Sequence, residues 1–369
     1  MRRSRLIVSL VTALAAVVVI VLAATGQFSS STGGKGSHGG GPHATGSQPP
    51  AGSVKPVIQG LLDRQGPPPD RLLSVVHAYV VKVNWADLQP AAFGPIAANN
   101  AIDQAIARVQ QPDYAQAGVV LKLRVFAGIG APEWAKELGG APLPYVDNQS
   151  GASVSGGTIG RFWTADFGRA YADLQTKLAA KYDTVAQVRE ITVSRCTTIF
   201  DEPFVRQFGD ARNVAAMRGA GYTLAADKQC IADSIAEHAV WQHTTSDVDF
   251  SPMPNIDKPG DTRDLTFAEA MMRYCRMTLG ARCGLQNNAL ATSKLNNSTF
   301  AQMYQYMTSL GPPIELQTAA TKRIGDESTA LAAAVTIGAN SVELPSGYGS
   351  WSESLLSSTA SGLVGNRTH

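Results

Sequence analysis

The chain has 369 residues, 44% apolar and 16% charged, with a formal net charge of +2. That composition is ordinary for a folded globular protein, long enough for one large domain with a sizeable core or for two small ones. Lysine and arginine are scattered outside the extreme N-terminus, which argues against nucleic acid as a partner.

Residues 1–26 carry three arginines and then an uncharged, predominantly apolar run from Leu6 to Ala24, the form of an export signal. Two readings stand: cleavage near the small residues Ala24-Thr25-Gly26, or an uncleaved anchor, since the run is long enough to span a bilayer. Either way the expected location is extracellular or cell-surface, with membrane contact only through this segment if it stays attached. No cysteine lies beside the cleavage site, so no lipid anchor is expected, and Arg2-Arg3 alone does not make a twin-arginine signal. Residues 27–53 turn to Gly, Ser, His, Pro and Thr and read as a flexible linker, in which His38 and His43 are solvated.

From residue 54 to 352 short β-branched runs alternate with longer amphipathic ones, the signature of βα units. The predicted strands are Val57–Leu62, Ala78–Trp85, Val119–Ala127, Val188–Arg195, Asp247–Met253, Cys283–Leu290, Pro313–Thr318 and Ser341–Pro345. Helices are expected near 100–110, 167–182, within 212–241, and near 266–278, 299–310 and 327–338. Residues 128–164 form the longest irregular stretch, rich in Gly and Pro and carrying several aromatics, which favours a functional loop. Residues 353–369 read as a C-terminal tail. Eight strands with intervening helices, over about 300 residues, predict a (β/α)8 TIM barrel. The alternative is an open doubly wound sheet, but no Gly-rich fingerprint follows the first strand.

Cys196, Cys230, Cys275 and Cys283 are candidates for two disulfides in an exported chain. Three pairings are possible, and sequence proximity favours Cys275 with Cys283, leaving Cys196 with Cys230. No spacing is C-x-x-C and no histidine or aspartate cluster closes a strand, so neither metal nor cofactor is expected.

The fourth strand leads to Asp201-Glu202-Pro203, and the seventh, PIELQT, contains Glu315. In a barrel both carboxylates would face the C-terminal mouth, where two acids can run glycoside hydrolysis. Each also has a structural reading: Glu202 as a helix N-terminal acid, Glu315 as a buried hydrogen-bonded acid with its role passed to Glu343 on the eighth strand.

A strand-four Glu with a strand-seven Glu resembles the clan A glycoside hydrolases. Three further stretches are similar to their cellulase and β-galactosidase-like branches: Val-Asn-Trp-Ala-Asp-Leu-Gln-Pro after strand two, Gly-Ile-Gly-Ala-Pro-Glu-Trp after strand three, and Glu202-Pro203. The resemblance spans about Val57 to Trp351. It implies a retaining mechanism on β-linked oligo- or polysaccharides, with Glu202 as general acid/base and Glu315 as nucleophile, about 5 to 5.5 Å apart. The clan typically has Asn before the acid/base; here it is Asp201, which can accept the same sugar hydrogen bond while its charge perturbs Glu202. Trp85, Trp134, Trp163, Tyr348 and Trp351 are candidate stacking platforms or seals of the core, and Asn287 and Asn288 candidate sugar-hydroxyl ligands. A monomeric glycoside hydrolase is the leading expectation. The alternative is a non-catalytic carbohydrate-binding or cell-surface barrel, a reading that Asp201 feeds.

Overall fold

The computed structural model describes residues 53–147, 154–259 and 264–366. The export signal or anchor and nearly all of the linker lie outside the described residues.

In chain order the strands are β1 (Gly60–Asp63), β2 (Val76–Asn84), β3 (Val120–Phe126), β4 (Leu143–Asp147), β5 (Val154–Ile159), β6 (Val188–Thr192), β7 (Thr245–Asp249), β8 (Cys283–Leu290), β9 (Ile314–Thr318) and β10 (Ser341–Leu344). All but β4 and β5 pair in parallel, in the order β1-β10-β9-β8-β7-β6-β3-β2, and β1 closes on β2. This is the closed eight-stranded barrel with surrounding helices, not an open sheet. The helices form where apolar residues recur at helical spacing: Ala165–Tyr182, capped by Thr164, buries Phe167, Tyr171, Leu174, Leu178 and Tyr182 along one face.

Two segments differ from their sequence reading. The loop 128–164 contains the antiparallel hairpin β4–β5; Pro144, Gly156 and Gly157 mask its strand pattern in the sequence. The C-terminal tail contains a helix, Glu353–Gly365, capped by the Ser352 side chain and burying Leu356, Thr359 and Leu363. Its Ser- and Gly-rich composition hides it, yet the composition serves packing: a Cβ on Gly362 would stand 2.9 Å from the Val335 methyls, so glycine lets the helix approach its neighbour.

Two disulfides close, Cys196–Cys230 and Cys275–Cys283, as chain proximity favoured. They suit an oxidising compartment. No helix among the described residues is long and apolar enough to cross a membrane.

Side chains in the barrel interior are layered. Ile58, Leu62 and Ala78 form a small apolar plug, with Val120 against it. Beyond it comes a layer of charge in place of the branched aliphatics usual in such barrels. Lys122 on β3 is fully buried and its ammonium contacts Glu315 on β9, Asp247 on β7 at 3.1 Å and Glu343 on β10 at 3.3 Å. Gln286 accepts a further hydrogen bond from it at 2.8 Å. Gly284 leaves the room this layer needs, because a Cβ there would lie 1.8 Å from Asp247 Oδ1.

Candidate functional site

Arg124 stands two residues beyond Lys122 on β3, so its side chain shares the inward face one layer nearer the C-terminal mouth. Its guanidinium joins three elements: Nε meets Asp201 at 2.7 Å, Nη2 meets Glu343 at 2.6 Å, and Nη1 donates to Gln317 Oε1 at 3.0 Å. Above it opens a cavity of about 580 Å³, lined by residues at or beyond the C-terminal ends of the strands. That size is within the range of small-molecule sites. Glu202, Asp201, Asn288, Gln317, Phe200 and Phe300 line it, together with the cations Arg64, Lys82, Arg124, Lys294 and Arg323.

Of the residues singled out in the sequence, Glu202, Asp201 and Asn288 come together here. Glu315 does not. It lies beneath the cavity, 3% exposed, bonded to Lys122 and accepting from Ser341 Oγ at 3.3 Å. The side chain that β9 presents to the cavity is Gln317, two residues on and about 6.6 Å farther along the strand. Register fixes this: Glu315 pairs with Gln286 and Ser341, and Gln317 with Glu343.

The other candidates also lie off the cavity. Trp85 is wholly buried, its indole donating to Gln89 Oε1 at 2.9 Å and packing edge-on against Trp134, Phe167 and Tyr171. Trp134 donates to the Gln89 carbonyl at 3.2 Å, and Trp163 packs edge-on against Phe162 and Tyr222. Asn287 alternates with Asn288 and turns out of the barrel, donating to the Phe250 carbonyl and accepting from Tyr304 Oη. Tyr348 is buried and donates to Asp63 Oδ2 at 2.7 Å, while Trp351 packs against the core. These aromatics seal the shell of the barrel, where large apolar rings gain most from burial.

Electrostatics separates the acids. Burial raises the Glu202 carboxyl and the Asp201 charge raises it further; Arg124, Asn288 and Arg64 oppose them, and it comes to rest at about 7. Burial pulls the Lys122 ammonium down, but Asp247, Glu315 and Glu343 together outweigh it and hold the lysine charged. Glu343 also feels burial, yet Arg124 and Lys122 bring it down to about 2, so it stays ionised. Glu315, Asp249 and Glu190 are raised, chiefly by burial, and the Lys122 charge opposes the shift at Glu315 and Glu190. Glu190, Asp247 and Glu315 bring one oxygen each within 4.8 Å of one another, a spacing that suits a metal ion. Lys122 already supplies the positive charge at Asp247 and Glu315.

The Glu202 midpoint gives a direct check. Asp201→Asn removes a like charge and releases Arg124 to act on Glu202, so the carboxyl is expected to titrate well below 7, toward its ordinary range. NMR titration of carboxyl-labelled glutamate reads the shift. Because the folded pKa is raised, Glu202 lowers stability as pH climbs from the unfolded value toward 7. Glu202→Gln is therefore expected to gain stability over wild type across that window.

No family model matches this chain, and no curated protein does. Solved structures with a similar barrel include glycoside hydrolases. Endo-glycoceramidase II from Rhodococcus sp., in its ganglioside GM3 complex, is 14% identical over 84% of this chain and 80% of that one, with a TM-score of 0.48. A hyperthermophilic endo-β-1,4-glucanase is 9% identical over 83% and 97%, at 0.45. A cold-adapted β-galactosidase from Rahnella sp. R3 is 12% identical over 80% and 51%, at 0.48. At these identities the likeness is one of fold alone.

The sequence reading passed over Lys122 and Arg124. The signal was present: in VVLKLRVFA two cations sit two residues apart within an apolar strand, and in a barrel that places both inside. Lys82 on β2 lies opposite Arg124 and follows the same rule. Arg64, Lys294 and Arg323 lie after strands and carry no such mark.

Proposed function

We propose that the cavity of this exported barrel binds a saccharide and does not cleave it by a Glu202–Glu315 pair. The observation that carries this is Gln317: the cavity-facing position of β9 holds an amide, while the strand's carboxylate lies one layer down against Lys122. An amide binds hydroxyls but does not serve as the nucleophile of a retaining mechanism. Asn288, Gln317 and a protonated Glu202 offer donors and acceptors, and Phe126, Phe200 and Phe300 offer apolar faces, the mixture that a sugar ring presents in complement. Export through the N-terminal segment, cleaved or retained as an anchor, is the route consistent with two disulfides.

Retaining hydrolysis of β-linked saccharides is the second reading. It is favoured by Glu202, whose proton persists to about pH 7 as a general acid requires. It needs Glu315 to leave Lys122 and act across the layer that Gln317 occupies.

The test is calorimetric titration of the full chain with a panel of neutral and acidic β-linked oligosaccharides. At least one is expected to bind, and Asn288→Ala to weaken it about tenfold, the scale of a lost buried hydrogen bond. Silence across the whole panel would overturn the saccharide reading.

A further inference from the structure

The charge on the cavity wall is unbalanced. Five cations, Arg64, Lys82, Arg124, Lys294 and Arg323, line it against two acids, Asp201 and Glu202, in a chain whose overall charge is close to neutral. Arg124 is committed to Asp201 and Glu343. The other four make no ion pair among the described residues. Arg64, just beyond β1, donates to the Thr318 carbonyl at 2.7 Å, and Lys294 stands 4.2 Å from the Phe300 ring centroid.

These cations also oppose one another. Burial lowers the Lys82 ammonium first, then the charges of Arg124 and Arg64 do so; Lys294 is lowered by burial and then by Arg323. Like charges gathered in a half-buried pocket without a counterion destabilise the empty state, and an anion arriving there relieves that repulsion while gaining charge-assisted hydrogen bonds. Asp201 is held by Arg124 and Glu202 keeps its proton to about pH 7, so the cavity's own acids supply little of that charge.

We propose that the cavity is selective for a saccharide bearing a negative group, a uronate carboxylate or a sulfate or phosphate ester, seated between the Arg64–Lys82 side and the Lys294–Arg323 side. The inference rests on the saccharide reading and adds the ligand's charge. Arginine's fork suits either a carboxylate or an oxyanion ester, and the experiment separates these sources.

The full chain is titrated by calorimetry with a β-linked disaccharide ending in a uronate, its neutral hexose counterpart, a sulfated counterpart of the same linkage, and inorganic sulfate alone. One acidic disaccharide is expected to bind at least about tenfold tighter than the neutral one, the scale of a close charge pair, with the advantage shrinking at higher salt. Whichever acidic sugar binds better names the anion. Lys82→Gln and Arg323→Gln, checked for an unchanged circular dichroism spectrum, are each expected to lose most of that advantage, read as the ratio of acidic to neutral affinity in the same variant. Equal affinity for neutral and acidic disaccharides overturns the charge inference and leaves the saccharide reading standing. Binding of sulfate alone as tightly as the sulfated sugar, with no response to neutral sugar, overturns the saccharide reading and with it this proposal.

Discussion

Lys122→Met is expected to destabilise the fold by about 3–5 kcal/mol, the scale of removing one partner from a buried ion cluster. The lysine is fully buried and in contact with Glu315, Asp247 and Glu343. Methionine fills much of the same volume, so the loss reports charge and hydrogen bonding rather than a cavity. Without the ammonium, the surrounding acids must take up further protons, and that is easier in acid. The penalty is accordingly expected to be largest at neutral to alkaline pH and to shrink toward pH 4. Urea denaturation of wild type and variant across that range checks it. Adding Glu315→Gln to Lys122→Met should recover part of the loss, because it deletes a carboxylate that the lysine served. A mutation with no effect on stability would mean that the layer is not held by charge.

The second large effect concerns Cys196–Cys230, which ties the loop leading to Asp201 and Glu202 to the helix Leu224–Glu237. Its partners are separated by 34 residues, against 8 for Cys275–Cys283. The chain-entropy relation gives about 3.8 kcal/mol for the longer loop and about 2.5 kcal/mol for the shorter. Paired alanine substitutions, measured by chemical denaturation, are expected to follow that order. Removing the longer bridge also frees the acid-bearing loop, so the Glu202 titration midpoint should drop as water reaches the carboxyl.

The barrel was legible because each strand is a short β-branched run and each connection carries either helical periodicity or turn residues. Its boundaries moved by a few residues at the ends, as at β1 and β7, where pairing partners decide how far a strand extends. The hairpin β4–β5 and the helix Glu353–Gly365 were not legible, since Gly, Ser and Pro weaken the local pattern and tertiary packing supplies the missing stability. In the candidate site the sequence revealed that Glu315 is a buried acid on a barrel strand, but not its layer. Glu315 and Gln317 lie two positions apart, both on the inward face, and only pairing with β8 and β10 sets which of them meets the cavity. The tryptophans carry no local signal that distinguishes a seal from a platform. Trp85 and Trp134 find their partners across the shell, through Gln89 and through each other.

On β9 this cavity meets the amide of Gln317 where a two-carboxylate hydrolase needs an acid. Turnover of whichever β-linked saccharide the wild-type chain binds is followed by product release between pH 5 and 7, alongside Glu202→Gln and Glu315→Gln. The bound saccharide is expected to be recovered intact from all three proteins. Release of cleaved sugar by the wild type, abolished in both variants, would instead establish Glu202 and Glu315 as a working hydrolytic pair.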